Sequence, residues 1–121
     1  MNAINWFEIP VENMQRAITF YSTVLGGPIT PMEGSDGNYA ALPSGENGVG
    51  GALAFEETRK PAGGNGVAIY LNGGDDLAVM LGRVAGAGGK VTTEKHDIGE
   101  FGFIGFFTDT EGNSIGLHSN G

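Results

Sequence analysis

The sequence predicts an α+β fold in which two βαβββ modules follow one another along a single chain of 121 residues. Three observations indicate this: the order of strand and helix patterns in each half, a Gly-Gly pair ending each predicted helix, and a constant spacing of 62 residues between matching positions. Each helix would cover one face of its four strands. The remaining faces would form a curved mixed sheet around a cavity.

The first module is predicted to span residues 1–58. It begins with a strand pattern over residues 4–11, followed by Asn13 as the N-cap of a helix. Apolar residues then recur at helical spacing up to Leu25, and Gly26-Gly27 ends the helix. Three short strands separated by turn-forming residues are predicted next, at residues 28–32, 38–43 and 50–56.

The second module is predicted to span residues 66–121, after a polar connector at residues 57–65. The same patterns return in the same order, with a second Gly-Gly pair at residues 88–89. The predicted elements are a strand at 67–71, a helix at 75–87, and strands at 90–94, 101–108 and 114–118.

Composition excludes several classes of function. Fourteen acidic residues against six basic ones give a formal charge of −8, which is unsuited to binding nucleic acid phosphates. The chain has no cysteine, and hence no disulfide or thiolate nucleophile. It shows neither a secretory signal pattern nor a long apolar run, so we expect a cytoplasmic protein without membrane contact.

Three segments resemble the vicinal oxygen chelate superfamily of glyoxalases, bleomycin-resistance proteins and dioxygenases. They are FEIPVENMQRAITFYSTVLGG, AIYLNGGDDLAVMLGRVAGAGGKV and FTDTEGNSIGLHS. The resemblance covers nearly the whole chain and implies the paired-module fold, commonly as a homodimer. It also implies a divalent metal in the enzymes of the superfamily.

Metal ligands in the superfamily are His or Glu on the first and last strands of each module. Motif alignment and the 62-residue spacing place these positions at Trp6, Ala54, Ala68 and Gly116. None of these four residues has a ligating side chain, so a metal centre of the usual glyoxalase type is not expected.

Four residues two positions further along the same strands have side chains able to carry out chemistry. They are Glu8, Glu56, Tyr70 and His118. Because strand side chains alternate with a period of two, these residues would share the face of the superfamily's ligand positions. Three alternatives remain open: a shifted metal site at Glu8, Glu56 and His118, metal-free acid–base catalysis by a glutamate of raised pKa, or solvated rim residues without a role.

Four further residues are candidates for ligand contact. Trp6 could stack on a ligand or fill the space left by its small neighbours. Phe55 and Phe103 could line a wall, although core packing is the simpler interpretation. His96, in a predicted loop, could act as a lid residue or lie in solvent.

Two functions are consistent with these observations, and a third possibility is that the cavity is filled and the protein acts through an interface. One is a lyase- or isomerase-like enzyme that acts on a small organic molecule without the usual metal ligands. The alternative is a non-catalytic homodimer that sequesters a drug or metabolite, as bleomycin-resistance proteins do. Exposed sheet edges favour pairing of two chains in either case.

Overall fold

Each half of the chain forms its own sheet, with equivalent strands in the same relative order. The computed structural model describes residues 2–121. Its elements are β1 (Trp6–Pro10), α1 (Met14–Leu25), β2 (Tyr39–Ala41), β3 (Gly50–Ala54), β4 (Tyr70–Asn72), α2 (Leu77–Leu81), β5 (Lys90–Asp97), a 3₁₀ turn (Gly99–Phe101), β6 (Phe103–Thr108) and β7 (Ser114–Ser119). The sheets have the strand orders β1-β3-β2 and β4-β7-β6-β5. The predicted α+β class is confirmed; the proposed module boundaries stay a prediction.

Helix α1 has the ends that the sequence predicts. Asn13 caps its start by accepting a hydrogen bond from the backbone N–H of Arg16 at 3.0 Å. Gly26 ends it in the left-handed conformation, with φ of 80°. Within residues 2–121 no helix is long and apolar enough to cross a membrane.

The predicted strand at residues 28–32 does not form. Pro28 and Pro31 have no backbone N–H, so this segment cannot supply a regular ladder of hydrogen bonds. One bond remains, from the Met32 N–H to the Tyr39 carbonyl at 2.7 Å. The first sheet therefore has three strands where the second has four.

Three predicted elements of the second half are shorter than expected, and one of them is β4, which begins at Tyr70 and not at residue 67. Helix α2 ends at Leu81 and continues as turns to Gly88, because Gly82 and Gly86 weaken the helical pattern. Strand β6 begins at Phe103, not at 101, since the preceding Gly102 has a φ of 102°.

Strand pairing shows that the predicted constant spacing of 62 residues does not hold for the last strand of each module. Pro10 and Asn72 are equivalent positions, 62 residues apart, on the first strands of the two modules. Pro10 lies opposite Ala54 in the first sheet, and Asn72 lies opposite His118 in the second. The counterpart of His118 is therefore Ala54, not Glu56, and the counterpart of Gly116 is Ala52, not Ala54. Additional residues lie between α2 and β6, where β5 is long and bulged.

The two helices cover one face of each sheet and leave the opposite faces open. Ile9 and Leu53 of the first sheet belong to the same buried core as Tyr21 of α1. Leu117 of the second sheet joins this core with Leu77 of α2. Side chains at alternate strand positions, including Trp6 and Tyr70, point to the uncovered faces and are about half exposed, at 45% and 48%.

Candidate functional site

A hydrogen-bonded network lies on the uncovered face of the first sheet. The Tyr39 hydroxyl donates to Glu8 Oε2 at 2.6 Å and accepts from Trp6 Nε1 at 2.8 Å. Trp6 lies opposite Gly50, whose missing side chain leaves room for the indole: a Cβ there would lie 2.7 Å from the ring. The network holds the indole in place while part of it stays exposed.

Arg59 joins the two predicted catalytic glutamates. Its guanidinium donates to Glu8 Oε1 at 2.6 Å and pairs with Glu56 Oε2. The connector therefore folds back onto the sheet. Neither Tyr39 nor Arg59 was among the residues that the sequence singled out as site residues, and the polar composition of the connector gave no signal of this contact.

The hydrogen bonds around Glu8 keep its carboxylate ionised. The bond from Tyr39 is the largest influence, and with Arg59 it lowers the pKa of Glu8 below the ordinary value. The same bond raises the pKa of Tyr39. The expectation that surrounding apolar groups raise the pKa of Glu8 is wrong, because polar and cationic neighbours surround this carboxylate instead.

On the second sheet, Tyr70 and His118 occupy neighbouring strands. The Tyr70 ring lies over its cross-strand partner Gly116 and packs edge-to-face against Phe106, with ring centroids 5.2 Å apart. His118 Nε2 lies 2.6 Å from the Phe101 carbonyl oxygen. His118 is thus held by the 3₁₀ turn that precedes β6.

The superfamily's metal positions do not fit a metal ion in this chain. Trp6, Ala68, Gly116 and the corrected fourth position, Ala52, contribute no ligating side chain. A Cβ at Gly116 would lie 2.5 Å from the Tyr70 ring, so that ring occupies the space a ligating side chain would need. Among residues 2–121 no three His, Asp or Glu side chains are grouped so that they could hold a metal ion. The structure brings Glu8 and Glu56 together but does not bring His118 to them as a third ligand.

A large cavity of about 780 Å³ lies between the sheets. It is bounded by β4 and its preceding residues, by Phe7, and by the loop after β2. Apolar side chains dominate its wall: Ile4, Phe7, Leu25, Leu42, Val49, Val67, Ile69 and Met80. A cavity of this size and character suits a small organic molecule.

A smaller cavity of about 560 Å³ lies against the second sheet. Tyr70, Asn72 and His118 contribute to its wall, together with Ile98 and Ile104. Tyr70, Leu71 and Asn72 also line the larger cavity, so the two cavities share part of β4 as a common wall.

None of the four predicted ligand-contact residues, Trp6 included, lines either of these cavities. Phe55 and Phe103 pack against the core, each with a lysine ammonium near its ring. His96 lies in β5 opposite Ile104, not in a loop, because β5 extends to Asp97. Its predicted position in a loop is therefore wrong.

With this fold and this site, the chain belongs to the glyoxalase/bleomycin resistance protein/dioxygenase superfamily, whose family model matches residues 3–117. It is 32% identical over 108 residues to a protein of Mycobacterium bovis named "Putative glyoxylase CFP32". That alignment covers 88% of this chain but only 40% of the relative, which is a much longer protein.

Solved structures of low sequence identity share the fold. A glyoxalase/bleomycin resistance protein from Albidiferax ferrireducens superposes with a TM-score of 0.79 at 16% identity, over 99% of this chain and all of that one. TnmS3, an antibiotic binding protein from Streptomyces sp. CB03234, superposes with a TM-score of 0.66 at 23% identity, over 100% and 98% of the two chains. These likenesses confirm the predicted superfamily fold.

Proposed function

We propose that this protein binds a small organic molecule in the cavity between its sheets, without a metal ion at the superfamily's usual position. The observation that carries the proposal is the apolar wall of the larger cavity, which includes Phe7, Ile69 and Met80. Burial of apolar ligand surface against such a wall contributes roughly 25 cal/mol per Å². Polar groups at the edge, including Asn72, would orient the ligand.

The replacement of metal ligands by bulky aromatic contacts supports a binding role. Tyr70 lies over Gly116, and Trp6 lies over Gly50, each ring on a glycine of the neighbouring strand. Both rings are about half exposed, at 48% and 45%. The Tyr70 ring, which lines the larger cavity, offers a flat surface for stacking next to a position where the enzymes of the superfamily place a ligating group, whereas Trp6 lies outside this cavity. The antibiotic-binding role printed for TnmS3 is compatible with this proposal.

Catalysis by a lyase- or isomerase-like enzyme is the second candidate. Tyr70 and His118, two groups able to transfer protons, line the same smaller cavity. If they are catalytic, Tyr70→Phe and His118→Phe would abolish turnover of a substrate while leaving its binding measurable.

A homodimer is part of the proposal. Ile4, Val67 and Tyr70 line the larger cavity yet are 55%, 91% and 48% exposed. A second copy of the chain would cover this apolar rim. Sedimentation is expected to give twice the 12.5 kDa mass of one chain, and Val67→Asp is expected to shift it to the monomer. A wild-type monomer at micromolar concentration would contradict the dimer.

Binding in the larger cavity can be tested with Nile red, a neutral apolar dye. We expect saturable binding that survives dialysis against EDTA, and weakening of at least about tenfold in Ala68→Trp, which places an indole in the cavity wall. Val79→Trp is the matched control, because Val79 is 58% exposed on α2 and does not line this cavity. Equal affinity in the two variants, or no saturable binding at all, would overturn the proposal.

A further inference from the structure

The wall that the two cavities share brings hydrogen-bonding side chains next to the apolar larger cavity. Tyr70 and Asn72 line both cavities, while His118 lines only the smaller one. A ligand that extends along this common wall from the larger cavity into the smaller one would pass Asn72 and His118. The recognition of the end of the ligand in the smaller cavity rests on the proposed binding function.

Asn72 presents hydrogen-bond donors to the common wall. Its side-chain oxygen accepts a bond from the backbone N–H of Gly74 at 2.8 Å, which fixes the orientation of the amide. One lone pair of the Oδ1 atom is thereby used. Among residues 2–121 the side-chain NH₂ of Asn72 donates to no protein group, so its two N–H donors are available.

His118 presents an acceptor next to these donors. The Phe101 carbonyl can only accept, so the 2.6 Å contact requires the hydrogen to be on His118 Nε2. In the neutral ring, Nδ1 then carries the free lone pair. No protein group within residues 2–121 bonds to this second nitrogen.

The register of the second sheet brings the two groups side by side. Asn72 of β4 lies directly opposite His118 of β7, so their side chains leave the sheet on the same face as neighbours. The Asn72 amide supplies a donor and His118 Nδ1 supplies an acceptor. Together they complement a ligand group that has one acceptor and one donor. We propose that Asn72 and His118 bind the carboxamide or lactam group of a ligand whose apolar body occupies the larger cavity. The ligand carbonyl accepts from the Asn72 amide, and its N–H donates to His118 Nδ1.

Two probes that differ only in hydrogen-bond donors test this inference. The first is 1-naphthylacetamide, and the second is its N,N-dimethyl derivative, which keeps the carbonyl but has no N–H. Calorimetric titration of wild-type protein is expected to show a preference for the primary amide of at least about tenfold. Asn72→Asp keeps the oxygen that accepts from Gly74 but removes the NH₂ donors, so it is expected to reduce affinity for both probes. His118→Phe keeps a ring but removes the acceptor, so it is expected to bring the preference close to one.

Asn38→Asp is the matched control, because it makes the same chemical change just before β2 of the first sheet, outside both cavities. It is expected to leave both affinities unchanged. Equal affinities in wild type, or a preference retained in His118→Phe, would overturn the carboxamide inference while saturable Nile red binding preserved the proposed function. Failure of both naphthyl probes to bind, with Nile red still bound, would also overturn the inference alone. Loss of Nile red binding would overturn the proposed function and this inference together.

Discussion

The carboxylate of Glu111 caps the start of helix α1 from the other half of the chain. Its Oε1 atom accepts the backbone N–H groups of Glu12 and Asn13 at 2.8 and 2.7 Å. Arg16, in the first turn of the helix, donates to the same carboxylate. The side chain of Glu111 has 0% exposure and that of Arg16 has 49%, so the two halves of the chain are joined by a charged contact that is buried on the carboxylate side.

Removal of this contact is expected to destabilise the protein. Glu111→Ala would leave two backbone N–H groups at the helix start without their acceptor, at a cost of about 2–3 kcal/mol in the free energy of unfolding. Urea denaturation followed by far-ultraviolet circular dichroism measures the change. Glu46→Ala, an exposed substitution in a loop, is the control and is expected to change stability by less than about 0.5 kcal/mol. Equal stability of the two variants would contradict a stabilising role for Glu111.

The same carboxylate makes stability depend on pH. Burial alone would raise the pKa of Glu111, but the bonds from Arg16, Asn13, Glu12 and Thr110 outweigh burial and lower it from 4.5. Since the folded-state pKa lies below the unfolded value, this stabilisation is present above pH 4.5 and is lost as the pH falls through the folded-state pKa. Unfolding free energies measured between pH 7 and about pH 3 should decrease less steeply in Glu111→Gln than in wild type. Identical pH profiles would contradict the assignment.

The contact between Gly116 and Tyr70 predicts a coupled pair of substitutions. Gly116→Ala would place a methyl group 2.5 Å from the Tyr70 ring and is expected to cost about 1–3 kcal/mol of stability. In a Tyr70→Ala background the same substitution should cost less, because the obstructing ring is absent. A double-mutant cycle measures this coupling. Gly27→Ala is the control, since a Cβ at Gly27 has no neighbour within 4 Å. Additive effects at Gly116 and Tyr70 would show that the ring does not restrict this glycine.

Local signals predicted the fold better than the site. Asn13 and Gly26 were identified because helix caps depend on residues close in the sequence, and both act as predicted. The spacing rule placed Glu56 as the counterpart of His118, but additional residues in the second half make Ala54 the counterpart. The contact of Arg59 with Glu8 spans 51 positions and depends on how the connector folds, which periodicity does not describe.

Removal of the Tyr39 hydroxyl is expected to change both the pKa of Glu8 and the environment of the Trp6 indole. Tyr39→Phe removes the hydroxyl whose bond is the largest cause of the lowered pKa of Glu8, so this pKa should rise toward its ordinary value. Carboxyl-detected NMR titration measures the pKa of Glu8. The same substitution removes the acceptor of Trp6 Nε1, and the chain has a single tryptophan, so the one indole N–H resonance should shift as well. Tyr70→Phe, on the second sheet, is the control that should move neither signal. An unchanged Glu8 titration in Tyr39→Phe would show that Arg59, not the tyrosine hydroxyl, controls this carboxylate.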